Sequence, residues 1–103
     1  MPLSNYAESE MEIKHTENGR KGSFIVDVDG DEKGRLDYFT SAPGEITIHH
    51  TEVDESLRGQ HVGDKLVAAA VEHAREKGLK VVPTCPFAKK VIDRTPEFQD
   101  VLA

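Results

Sequence analysis

Three short runs of this chain hold side chains able to do chemistry. Val82-Pro83-Thr84-Cys85-Pro86-Phe87 contains the one cysteine of the sequence. Proline favours the first position of a helix, so Cys85 falls at or beside an N-cap, where the helix's partial positive charge favours thiolate. Cys85 is thus a candidate nucleophile, set against the commoner fate of a lone cysteine as a small buried hydrophobe. Leu57-Arg58-Gly59-Gln60-His61-Val62-Gly63 leads into a helix. Unpaired N–H groups, the helix dipole, two glycines and the fork of Arg58 suit a phosphate or pyrophosphate there, and a plain strand-to-helix loop is the alternative. His49-His50-Thr51-Glu52 closes a strand. Neighbours on a strand point to opposite faces, so the two imidazoles do not converge on one metal. His50 or Glu52 is a candidate general base if it faces a cleft, and otherwise an ordinary surface residue. His15, His61 and His73 have no ligand spacing with these or with Cys85, so no metal site is expected.

The elements that must place these residues change period midway along the chain. Residues 12–17, 23–29, 35–41 and 45–53 read as four strands, separated by Asn18-Gly19, by residues 30–34 and by Pro43-Gly44. Phe24, Val26 and Val28 alternate with polar neighbours, Leu36, Tyr38 and Thr40 share a face, and alternation from Ile46 and Ile48 puts His50 and Glu52 on their side. Over residues 62–77 an apolar arc of Val62, Leu66, Val67, Ala70, Val71 and Ala74 opposes Asp64, Lys65, Glu72, Arg75 and Glu76, which predicts a helix ended by Gly78. A short strand over 79–84 and a second helix over 86–95, stopped by Pro96, follow. The order β-β-β-β-α-β-α makes the first helix a crossover, so the fourth and fifth strands run parallel. The expected fold is α/β (α+β): a mixed, mostly antiparallel sheet of about five strands, with the ligand where the fourth and fifth splay apart. No repeat or linker divides residues 1–103, and a single domain is expected.

A chain of 103 residues with 37% hydrophobic content can bury one core without disulfides. One cysteine gives no internal disulfide or zinc framework and fits a reducing cytoplasm. Glu8, Glu10 and Glu12 stand where a signal's apolar run would be, and no stretch nears the roughly 18 apolar residues of a membrane helix. Net charge is -6, unevenly spread. Residues 1–55 hold 5 Lys or Arg against 13 Asp or Glu, whereas residues 56–94 hold 8 against 4. The acidic total argues against a nucleic-acid partner, while the basic segment can hold a small anion.

Taken together, His50-Thr51-Glu52-Val53, Leu57-Arg58-Gly59-Gln60-His61-Val62-Gly63 and Pro83-Thr84-Cys85-Pro86-Phe87 resemble the small GCN5-related N-acetyltransferases, and their short cysteine-containing branch in particular, over roughly residues 22–100. The resemblance implies that backbone amides of the loop, from Arg58 through Gly59, Gln60, His61 and Val62 to Gly63, bind the pyrophosphate of coenzyme A. His61 stands where that family has its middle glycine, and Asp64 follows. It also implies pantetheine lying along Glu52 and Val53 between the fourth and fifth strands, Phe87 and Lys90 on the cofactor, with Lys89 and Arg94 on the same cationic surface, and Cys85 in the place of the branch's proposed catalytic cysteine. The helices that roof the acceptor site in larger members are missing, because the first strand turns directly into the second. An open acceptor side is expected.

The leading expectation is an acetyl-CoA-dependent N-acetyltransferase acting on an amine. Direct transfer uses Glu52, His50 or a water as base, and a relay passes the acetyl group through Cys85. The acidic first half suggests a cationic acceptor. The alternatives are a non-catalytic CoA-binding module and an interaction domain for a cationic partner. No membrane partner is expected, and the chain is expected to be a monomer or weak homodimer.

Overall fold

Period-two patterning between Met11 and Val53 becomes four consecutive antiparallel strands in the computed structural model, which describes residues 11–57 and 59–103. They are β1 (Met11–Asn18), β2 (Lys21–Val28), β3 (Asp31–Ala42) and β4 (Glu45–Val53). Helix α1 (Val62–Lys77) crosses over to β5 (Lys80–Pro83), which lies parallel to β4, and the sheet order is β1-β2-β3-β4-β5. Helix α2 (Pro86–Asp93) and a 3-10 segment (Pro96–Val101) follow. The expected mixed, mostly antiparallel sheet is present. The acidic residues Glu8 and Glu10 lie outside the described residues.

The β2–β3 turn is tighter than the sequence reading. Asp29 and Gly30 both take positive φ, 54° and 88°, and make a two-residue hairpin turn, so β3 begins at Asp31. Lys33 then has no register partner, because Val26 faces Gly34 while Asp27 faces Glu32. This bulge absorbs the added length.

Phe24, Val26, Leu36, Tyr38, Ile46 and Ile48 bury one face of the sheet against Leu66, Val67, Ala70 and Val71 of α1 and Ala88, Val91 and Ile92 of α2. Each fully buried aliphatic side chain contributes about 1.5–3 kcal/mol relative to exposure. The other face carries ion pairs such as Lys14–Asp27 at 2.7 Å and Arg35–Asp37 at 3.1 Å, and no described helix covers it. Among the described residues no helix is long and apolar enough to cross a membrane.

A break in β4 decides what its end can do. Tyr38 pairs with Ile48 and Asp37 with His50, which leaves His49 unpaired. A bulge of this kind reverses the alternation beyond it. Thr51 therefore continues the core side opposite Leu36, while His50 and Glu52 turn outward beside Asp37 and Arg35. Simple alternation had put His50 and Glu52 on the side of Ile48, and the bulge corrects that. His49 also lies outward, 5.4 Å from the ring of Phe39, so the two histidines share a face rather than opposing each other.

Candidate functional site

Strands β4 and β5 pair only from Glu45↔Lys80 to Ile48↔Pro83. Past that point β4 runs on to Val53, while β5 ends and gives way to α2. The N–H groups of Thr84 and Cys85 both donate to the Ile48 carbonyl, at 3.0 and 3.1 Å, and close the vertex where the strands part. A cleft of about 350 Å³ is lined by Val53, Asp54, Glu55, Leu57, Gly59, His61, Val62, Gly63, Asp64 and Phe87. That volume lies within the usual range for a small-molecule or cofactor pocket.

One wall is the start of α1. No side chain caps this helix, and the Lys65 N–H makes the first bond to the His61 carbonyl, at 3.1 Å. The N–H groups of Val62, Gly63 and Asp64 precede it and lie outside the helical ladder. Together with the dipole they suit an anion. His61 takes the left-handed conformation, φ 58° and ψ 31°, with its side chain 79% exposed. It thus holds the backbone shape that glycine adopts without strain. Gly63 meets a different demand from the one its motif suggested: a Cβ there would stand 2.5 Å from Cζ of Phe87, so the absent side chain makes room for that ring.

Asp54, Glu55 and Asp64 place carboxylates at this cleft. Asp54 accepts the Ser56 N–H at 2.8 Å, a bond that holds its carboxyl below the usual range. Asp64 is gripped by Arg94, the C-cap of α2, whose Nη2 lies 2.8 and 3.0 Å from the two carboxylate oxygens. That pairing compensates one negative charge beside the open N–H groups.

Cys85 is the N-cap of α2, with Pro86 at the first helical position, and is 7% exposed. Burial pushes its thiol up. The Ala88 N–H, the Thr51 hydroxyl, the Phe87 N–H and the Thr51 backbone outweigh burial and hold it below the usual value of 9.0. Its S–H donates to Thr51 Oγ1 across 3.6 Å. On the outer face His50 Nε2 lies 3.0 Å from Glu52 Oε1. The free end of β4 therefore presents a thiol on one side and an imidazole–carboxylate pair on the other.

Of the residues selected from the sequence, Val53, Gly59, His61, Val62, Gly63, Asp64 and Phe87 line the cleft. Gln60 sits in the preceding turn, its N–H bonded to the Leu57 carbonyl at 3.2 Å. Glu52 lies on the outer side with Gly34 and Arg35. Lys90 is on the exposed face of α2 with Lys89 and Arg94, away from the lining. Arg58 lies outside the described residues. The sequence reading missed Asp54, Glu55 and Leu57 as lining residues and Thr51 as the partner of Cys85. The position of the first three directly after β4 was the available signal, whereas the facing of Thr51 depends on the bulge.

A family model described as GCN5-related N-acetyl-transferase matches residues 23–101. Protein NATD1 of Danio rerio is 28% identical over 89 residues, covering 86% of this chain and 80% of that protein. The solution structure of a GCN5-like protein from Staphylococcus aureus is similar at a TM-score of 0.73 and 40% identity, covering 92% of this chain and 90% of that one. An acetyltransferase from Bacillus subtilis, solved in complex with CoA, shares the fold at a TM-score of 0.59 and 18% identity, over 69% of this chain and 62% of that one.

Proposed function

The chain belongs to the GCN5-related N-acetyltransferase family, and on that premise we propose that it moves an acetyl group to an amine through Cys85, acting as a single domain. The family uses acetyl-CoA, whose thioester supplies an activated acetyl group. The observation that carries the reading is the uncapped start of α1 on a cleft formed where β4 and β5 part, with Cys85 beside their vertex.

The residues present fit that cofactor. The N–H groups of Val62, Gly63 and Asp64 are the donors for its pyrophosphate, and Gly59, with nothing within 4 Å of a built Cβ, leaves the backbone open beside them. The unpaired edge of β4 offers backbone groups to an extended pantetheine arm, much as a sheet edge accepts an added strand. Phe87 supplies an apolar wall.

Cys85, as a thiolate, the form favoured by the N–H groups of Ala88 and Phe87, would attack the acetyl carbon, so that a new thioester forms on Sγ as the acetyl–sulfur bond to coenzyme A breaks and coenzyme A leaves as its thiolate. The amine then displaces that sulfur, which leaves as the Cys85 thiolate, and a water takes the amine proton. The acidic first half of the chain, 13 Asp or Glu against 5 Lys or Arg over residues 1–55, favours a cationic amine. A reducing cytoplasm keeps the thiol available.

Intact mass after incubation with acetyl-CoA tests the relay. One acetyl group on the chain, absent in Cys85→Ala, supports it. No acetyl-enzyme together with unchanged turnover in Cys85→Ala makes direct transfer, with His50 or Glu52 as base, the mechanism. The uncovered outer face, with no roof over an acceptor, favours a second reading, a CoA-binding module without turnover. Binding without acetylation of any amine by the wild-type chain would establish it.

A further inference from the structure

A second group of chemically able side chains lies away from the cleft, where β1 meets α1. We propose that His15, Glu17 and His73 form a zinc-binding site that ties the edge strand to the helix. The sequence gives no sign of it, because His73 is 58 positions from His15, and the sheet and the crossover helix bring them together.

β1 is an edge strand, almost entirely exposed. His15 and Glu17 are two positions apart, so both leave β1 on the side of α1. The His15 ring stacks on Phe24, with centroids 4.3 Å apart and planes 3° from parallel, and meets the edge of His73 at 4.5 Å. Nε2 of His15 lies 4.0 Å and Nε2 of His73 3.9 Å from the same oxygen, Oε2 of Glu17. The three ligand atoms all fall within 4.8 Å of one another.

Two imidazole nitrogens and a carboxylate oxygen match the ligand chemistry of Zn²⁺, with a water completing the tetrahedron. Zinc bonds of about 2.0–2.2 Å imply ligand atoms about 3.3 Å apart. The ligand atoms, now within 4.8 Å of one another, reach that spacing by rotation of the Glu17 side chain, 60% exposed, together with small rotations of the two imidazoles. Burial foremost, and then the neighbouring His15, lower the affinity of His73 for its proton, so the imidazole is available in its neutral, metal-binding form.

Tyr38 supplies the outer support. Its hydroxyl donates to Glu17 Oε2 at 3.3 Å and also lies 2.5 Å from His15 Nε2. Burial, aided by Glu17, pushes its phenol up to about 12, which keeps it a donor. When His15 Nε2 takes the metal, Tyr38 keeps its bond to Glu17 and orients the carboxylate, the usual duty of an outer-shell partner. His73 lies ten residues along α1 from Gly63, about 15 Å at the helical rise, so the site is distinct from the cleft.

The test is a calorimetric titration of the metal-free full chain with Zn²⁺, in the Cys85→Ser background so that the thiol cannot compete. We expect one ion per chain at micromolar affinity and a higher melting temperature with zinc than without. His73→Gln and Glu17→Gln should each weaken binding at least about tenfold, and Co²⁺ should give the absorption of a tetrahedral site. Glu17 is exposed, so its variant reports on the site even if His73→Gln fails to fold. No binding at millimolar zinc, or unchanged affinity in Glu17→Gln, would overturn the proposal.

Discussion

The chemistry of Cys85 is set by what the fold aims at its sulfur. Burial alone would make it an inert thiol, but the start of α2 and the Thr51 hydroxyl reverse that direction. Alkylation by a small reagent should therefore titrate with a midpoint below 9.0, the ordinary value, and Thr51→Val should move the midpoint upward. A wild-type midpoint at or above the ordinary value would show that burial dominates. Gly63 supports a second prediction. Gly63→Ala drives a methyl into the Phe87 ring and should cost about 1–3 kcal/mol in chemical denaturation, as overpacking does. In a Phe87→Ala background most of that cost should vanish. An equal cost in both backgrounds would mean that the ring does not set the requirement for glycine.

Elements bring together what the residues cannot reach alone. Arg94 reaches from α2 to the first turn of α1 and covers Asp64 beside the open N–H groups. Arg94→Gln should weaken acetyl-CoA binding by about three- to tenfold, the scale of a partly exposed charge pair, and Asp64→Asn should not weaken it. Calorimetry on both variants distinguishes this from loss of the fold. The β1–α1 contact carries a pH signature of its own. His73 binds its proton less readily in the native state than in the unfolded chain, through burial first, then His15 and Lys77, with Glu17 and Glu76 opposing them. The associated stability is fully present above pH 6.5, its unfolded value, and is lost as pH falls through the lower native value. Melting temperatures of the metal-free chain should decline through that window, and less so in His73→Gln.

At the scale of the whole molecule, the sequence made some features legible and hid others for identifiable reasons. α1 runs over the expected residues 62–77 because apolar period and terminal glycine are both local signals. β4 keeps its expected bounds of 45–53, but its bulge arises from pairing with β3, so no periodicity within 45–53 announces it. The facing of His50, Glu52 and Thr51 was hidden with it. Cys85 was legible through Pro86, whereas Asp29 was read as the end of a strand and Gly30 as the start of a five-residue turn, although the Asp29-Gly30 dipeptide alone sufficed. The joining of β1 to α1 depends on residues far apart in sequence and could not be read at all.

The charge distribution also acts as a whole. If the acidic first half selects a cationic amine, the KM for such an acceptor should rise with salt, since exposed charges are screened over about 8 Å at physiological ionic strength. Salt-independent turnover of neutral amines would remove that selectivity. Whether the cleft at the start of α1 holds acetyl-CoA is decided by calorimetric titration of the full chain. One site of micromolar affinity is expected in the wild-type chain, weakened at least about tenfold by His61→Asp, which adds a negative charge at a backbone position that Asp tolerates. Equal binding by the two chains, or none at millimolar acetyl-CoA, would contradict it.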